Sequence, residues 1–239
     1  MPIARSTGPH INTVTATGID ACPGGWVAVE LDLSGAFCDI RVAGTLEGLA
    51  LERTSPRTVI GIDMPLGLLA EGWRTADALA RRALGRRGAS VFAIPPRAVW
   101  DQPTYADANR RCRELTGRGL SAQAWGLRAK LIEADSHRHR SPLPLYEVHP
   151  ELSFSELTGA PLAASKHTQE GLTVRRALLR GAGIELPAPG ELMAGVGEDD
   201  LLDAAAVAWS TARIAAGAAK VLTDPTQRAD DGSEIAIRY

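Results

Sequence analysis

The chain holds 239 residues, 45% of them apolar and 23% charged, with 26 Lys and Arg against 28 Asp and Glu. That length suffices for one large domain or two small ones with a buried core, and the composition excludes a disordered chain. No run approaches the roughly 18 apolar residues of a membrane span, and Met1 to Thr17 lacks the apolar stretch of a secretion signal, so a cytoplasmic protein is expected.

A polar leader over residues 1–16 reads as irregular, and a strand is expected from Val14 to Asp20 (VTATGID). Trp26 to Leu33 alternates apolar and polar with period two, the pattern of a strand buried on one face. Ser34-Gly35 is a turn signal, and Phe37 to Val42 completes two successive hairpins. Leu46, Leu49 and Ala50 have helical spacing, which predicts a helix over Thr45 to Arg53 with Thr45 as its cap. Thr58 to Met64 (TVIGIDM) is nearly continuous in apolar character and suits a central strand covered on both faces, ended by Pro65 and Gly67.

Helices are expected at Thr75 to Leu84, Thr104 to Thr116 and Ser121 to Ala134, with Phe92 to Trp100 (FAIPPRAVW) as a rigid loop because of Pro95-Pro96. Leu143 to His149 reads as a strand, and Pro150 to Leu157 and Gln169 to Arg180 as helices. The longest pattern, Asp199 to Val221, predicts an alanine-rich helix with acids in its first turn, where the helix dipole favours them. Pro225 and Asp231-Gly232 then break the chain before a last strand, Glu234 to Arg238. The order is that of an α/β protein: a mixed sheet flanked by helices, one domain over 17–239 with a helical insertion at about 72–140. From Arg74 to Arg140, 14 Lys and Arg face 6 Asp and Glu, while the remainder carries 12 against 22, so segregated charge makes an anionic partner plausible. Three scattered cysteines, Cys22, Cys38 and Cys112, form no metal-binding or disulfide pattern.

Carboxylates fall at strand ends. Asp20 closes TGID, Asp63 closes VIGID, Glu147 lies in LPLYEVHPE, and Asp199, Asp200 and Asp203 open the last helix. On a helix Asp203 shares a face with both Asp199 and Asp200. An ionised acid after an apolar run is costly to bury without a cation, and several in one cleft repel one another. One or two hard divalent ions, Mg²⁺ or Mn²⁺, remove that repulsion, activate a water and stabilise the leaving oxygen of a phosphodiester. Asp20, Asp63, Glu147 and Asp203 are therefore the expected catalytic acids, with Asp200 as a further ligand. Each has a plainer explanation taken alone, as turn former, helix cap or partner of an arginine. Arg97, beside Pro96, Lys166 in the loop SKHTQEG and His149 next to Glu147 are the candidate contacts to a phosphate. No GxxxxGK[ST], GxGxxG or GxSxG occurs.

The blocks GID at 18–20 with GGW at 24–26, IDMPLG at 62–67, FAIPPRAVW at 92–100, YEVHPE at 146–151 and DDLLDAAAVAW at 199–209 resemble those of domain-of-unknown-function family 429. Its members are described as predicted nucleases of the RNase H-like fold, and the resemblance runs from about Thr17 to Leu222. It implies a five-stranded mixed sheet, strands one to three antiparallel and strands four and five parallel. It also implies an essential acid on the first strand, matched by Asp20, one on the fourth, matched by Asp63, and one on the closing helix, matched by Asp200 or Asp203. Glu147 would complete the set. RNase H proper also carries a glutamate after its first helix, and Glu47 and Glu52 match that place poorly. The expected activity is metal-dependent hydrolysis of nucleic acid or another phosphodiester. An actin-like ATP-dependent phosphotransferase and a non-catalytic nucleic-acid-binding module are the alternatives.

Overall fold

A computed structural model describes residues 15–32, 34–51, 58–191 and 193–239. The expected leader lies almost wholly outside the described residues, as does Glu52. Five strands form one sheet: β1 (Thr15–Cys22), β2 (Gly25–Asp32), β3 (Phe37–Ala43), β4 (Val59–Ile62) and β5 (Leu145–Glu147), in the order β3-β2-β1-β4-β5. β1, β2 and β3 pair antiparallel, and β4 and β5 run parallel to β1. This is the mixed α/β topology expected from the chain. The Cys22–Gly25 turn and the Ser34-Gly35 turn are short enough to fold the first three strands back on themselves. β4 and β5 need crossovers because parallel neighbours cannot be joined by a tight turn.

The insertion between β4 and β5 holds α1 (Thr75–Leu84), α2 (Arg97–Trp100), α3 (Tyr105–Thr116), α4 (Ala122–Gly126) and α5 (Arg128–Arg140). After β5 follow α6 (Pro150–Thr158), α7 (Gln169–Gly181) and α8 (Glu198–Ala215), then β6 (Val221–Arg228) and β7 (Glu234–Arg238). Caps explain several starts: the Thr104 hydroxyl accepts from Asp107 N–H, Ser121 from Ala124 and Thr168 from Gly171.

Four expectations change in detail. Thr45 to Arg53 holds only a single 3₁₀ turn, Glu47–Leu49, closed by Ala50 at φ +50, and residues 52–57 lie outside the described residues. Ser121 to Ala134 is two helices that meet at Leu127, the second running on to Arg140. The segment FAIPPRAVW ends in a helical turn, because Pro96 precedes Arg97 where a helix tolerates it and Val99 N–H bonds Pro96 O at 3.0 Å. The last long helix stops at Ala215, where Gly217 turns the chain at φ +69 and Ala218 N–H bonds Arg213 O. Val221 onward is strand β6, paired antiparallel with β7, and Pro225 sits within a register shift where no ladder bond is needed.

The two faces of the sheet bury different sets. Ile19, Trp26, Ala28, Ile60 and Ile62 pack with Leu46, Leu49, Trp100 and Leu131 on one side. Val27, Val29 and Leu31 pack against Leu201, Leu202, Ala204, Ala205 and Ala208 of α8 on the other, with Phe154 and Leu179. A third cluster joins α1, Leu152 and Ile235 and Ile237 of β7. Among the described residues no helix is long and apolar enough to cross a membrane.

One repeated triplet sets how closely α8 approaches. Gly18-Ile19-Asp20 and Gly61-Ile62-Asp63 lie side by side, with Gly18 registered to Gly61 and Ile19 to Ile62. Both isoleucines point to the face away from α8, so both glycines face it. A Cβ on Gly18 would lie 2.0 Å from Ala208 N and 2.2 Å from Ala204 O, and one on Gly61 would lie 2.1 Å from Thr211 Oγ1. Gly18→Ala meets helix backbone, which cannot swing aside. It should cost about 3 kcal/mol in urea unfolding, and a loss below ~1 kcal/mol would contradict this packing.

Candidate metal centre

The side-chain period of two that aims Gly18 and Gly61 at α8 aims Asp20 and Asp63 the same way, two residues along. Asp63 N–H donates to Ile19 O at 2.8 Å, which carries the parallel pairing one residue past β4 and fixes the two acids side by side. Asp203 enters from the second turn of α8, next to Ala204, whose carbonyl lies against Gly18. Asp20, Asp63 and Asp203 each present an oxygen within 4.8 Å of the other two. Asp20 and Asp203 are buried, 6% and 2% exposed, and Asp63 is intermediate. Asp20 Oδ1 accepts from Ala21 N–H at 2.7 Å, while Asp203 Oδ1 is buried without a partner among the described residues.

These acids line a cavity of about 390 Å³. Val91, Phe92, Met64 and Leu127 contribute apolar lining, and Lys166, His149, Glu151 and Arg87 add polar groups. Burial raises the Asp20 pKa well above its ordinary value, with Asp63 and Asp203 adding repulsion. Burial pushes Asp63 up to about 7 and Asp203 up to about 6, in each case against the pull of Lys166. Lys166 Nζ donates to Asp203 Oδ2 at 2.6 Å, and that contact raises the lysine pKa despite its own burial.

The remaining expected site residues lie in and around this group. Glu147 lines the cavity but is taken by structure: Arg74 Nη2 donates to its Oε1 at 2.7 Å and Oε2 at 2.6 Å, and Leu66 N–H donates to Oε2 at 2.7 Å. Asp200 lines the cavity too, but its Oδ2 accepts from Gly197 N–H at 3.2 Å, a cap on the start of α8. His149 is the residue before α6. Burial lowers its pKa, and Nδ1 is buried without a partner. Arg97 does not line the cavity; its guanidinium is held by Asp135 at 2.9 Å and by Asp230. The proline-rich turn thus aims Arg97 at the hairpin loop, not at a phosphate in the carboxylate cleft. Arg138 likewise bonds Asp231 at 2.7 Å and Asp135 at 3.1 Å, so part of the basic insertion neutralises acids of the same chain.

Among the cavity residues that escaped sequence reasoning are Asp77, Glu151 and Arg87. Glu151 is buried, with Oε1 on Arg175 Nη2 at 2.5 Å and Oε2 without a partner. Arg87 binds Leu162 O at 3.0 Å and also Ala164 O. The partners of Glu151 and Arg87 lie 24 to 77 residues away in sequence, so no local spacing marks them.

Linkage gives a testable consequence. Asp20, Asp63, Asp203 and Glu147 all hold protons more tightly folded than unfolded, chiefly because they are buried. Between pH 6.5 and 8 the unfolded carboxyls are already ionised and the folded ones are still losing protons, so stability falls as pH rises. His149, with its lowered pKa, opposes this at the acid end of the window, where the unfolded imidazole is still partly protonated. Metal-free protein should lose on the order of 2 kcal/mol over that window, a melting decrease of roughly 6 °C. Thermal melts at fixed ionic strength check it, and a flat or rising profile would contradict it.

A sheet with three antiparallel and two parallel strands, carrying clustered acids where β1 and β4 end beside a closing helix, defines an α/β protein with a candidate carboxylate metal centre. The chain belongs to the family described as Protein of unknown function (DUF429), which matches residues 18–228. No curated protein and no solved structure matches the chain.

Proposed function

We propose that this protein is a metal-dependent phosphodiester hydrolase, a nuclease in the sense expected from its RNase H-like resemblance. One observation carries the reading: acids from three separate elements, Asp20, Asp63 and Asp203, converge within 4.8 Å in a largely buried cleft. Three carboxylates so placed repel one another unless a cation joins them. The donor set suits one, being all oxygen, and the buried Asp203 Oδ1 is an acceptor that nothing among the described residues satisfies.

Asp20, Asp63 and Asp203 would hold Mg²⁺ or Mn²⁺. When bound, such an ion supplies Lewis-acid stabilisation to the charge that develops on a phosphoryl group. The chain contributes the rest. Val91, Phe92 and Met64 give the cavity apolar lining that limits water, so charges inside act more strongly. Lys166 holds Asp203 in one orientation through Oδ2. His149 lines the cavity, and burial of its imidazole favours the neutral form. Nucleic acid and smaller phosphodiesters are both substrates of this chemistry.

The test is hydrolysis of bis(p-nitrophenyl) phosphate and of single-stranded, duplex, hybrid and branched nucleic acids with Mg²⁺ or Mn²⁺. Cleavage of any of them, abolished by EDTA, is the expected result. No cleavage of the whole panel would sink the reading, and ATP turnover in its place would favour a phosphotransferase.

A further inference from the structure

We infer that Lys166 is a resident cation of the carboxylate centre, filling the place of a second metal, so that the site takes a single divalent ion. This rests on the metal-dependent reading above and narrows it.

Asp203 divides its carboxylate between two roles. Oδ2 accepts from Lys166 Nζ at 2.6 Å, and Oδ1 is buried and unpartnered. One oxygen is committed to an internal cation and the other is open to an external one. Asp203 is almost wholly buried and the lysine is about one-third exposed, so the ammonium enters the cleft from its solvent side.

The lysine is held there by construction. Arg87 binds the carbonyls of Leu162 and Ala164, immediately before the loop Ser165-Lys166. Arg175, itself anchored on Glu151, donates to Ala164 O at 3.2 Å. Ser165 O accepts from the Thr168 hydroxyl at 2.8 Å, which ties the loop to the cap of α7. A lysine on a free loop loses much of an ion pair's benefit to side-chain entropy; here the backbone on both sides is fixed in advance.

Charge balance points to the same count. Glu147 and Asp77 share Arg74, and Glu151 is paired with Arg175, so these ion pairs stand apart from the three clustered aspartates. Asp20, Asp63 and Asp203, fully ionised, carry three negative charges, and Lys166 supplies one positive charge. Within this group of four side chains one divalent ion completes neutrality. A second would leave an excess of two positive charges among them where solvation is poor, which is costly.

The experiment is Mn²⁺ binding to the full chain, by calorimetry and by metal analysis after dialysis, for wild type, Lys166→Met and Lys166→Arg. Wild type and Lys166→Arg should bind one Mn²⁺ per chain, and Lys166→Met two, because Asp203 Oδ2 is released. Two ions on the wild type, or one on Lys166→Met with unchanged affinity, would overturn the inference and leave the metal reading standing. An empty wild type with one ion on Lys166→Met would overturn it too, since the lysine would then replace the ion and not accompany it. No Mn²⁺ on any of the three would remove the metal reading itself. Circular dichroism of Lys166→Met checks that the fold is kept, as expected for a partly exposed loop residue.

Discussion

Asp203→Asn should lower metal-dependent phosphodiester hydrolysis by about 10³-fold, a loss of ~4 kcal/mol of transition-state stabilisation, while leaving the fold intact. Asparagine keeps the size and shape of aspartate, so α8 can pack as before beside Gly18. What disappears is the charge that, in the proposed reading, joins Asp20 and Asp63 around an ion. Lys166 loses its partner but is exposed enough to turn to solvent. Asp20→Asn should behave alike, whereas Glu147→Gln should leave Mn²⁺ stoichiometry unchanged, because Glu147 is held by Arg74 and Leu66. Steady-state kinetics and calorimetry on the three variants check this. Retention of more than a tenth of the activity in Asp203→Asn would contradict its role.

Arg74→Met should cost about 4 kcal/mol in urea unfolding. Arg74 is fully buried, donates twice to Glu147 and lies 3.4 Å from Asp77. Asp77 Oδ2 in turn accepts from Ile94 N–H at 2.9 Å, so one arginine neutralises two acids that position both the β5 end and the loop before α2. Without it two carboxyls stay in the interior without a counter-charge. Adding Glu147→Gln should recover part of the loss, since an amide tolerates burial better than an ion. A single-variant loss under ~1 kcal/mol would show that the triad is solvated.

The parts legible from the chain were those with short-range causes. Period-two alternation marked β2, a continuous apolar run marked β4, and helical spacing marked the helices that begin near Thr104 and Ser121. The acids Asp20, Asp63 and Asp203 stood out because each follows or interrupts apolar sequence, where an acid needs a reason. Long-range pairing was not legible. Whether Glu147 faced a cation or an arginine depended on Arg74, 73 residues earlier, and the same holds for Arg97 with Asp230, 133 residues later. Strand β6 was hidden because Pro225 argues against a strand, and only the register shift beside it lets the proline fit. The alanines before Gly217 carried the helical pattern too far for the same reason: propensity does not reveal where a turn is imposed.

The glycine pair under α8 has a consequence beyond stability. Gly18 lies two residues from Asp20 on one strand and Gly61 two residues from Asp63 on the next, while Ala204, which touches Gly18, adjoins Asp203. The missing side chains therefore act as a gauge for the mouth of the cleft. A methyl group at position 18 would lift α8 from the sheet and spread the three acids, so ion affinity would fall without any ligand being changed. The width of the centre is fixed in the core, one turn below the residues that use it.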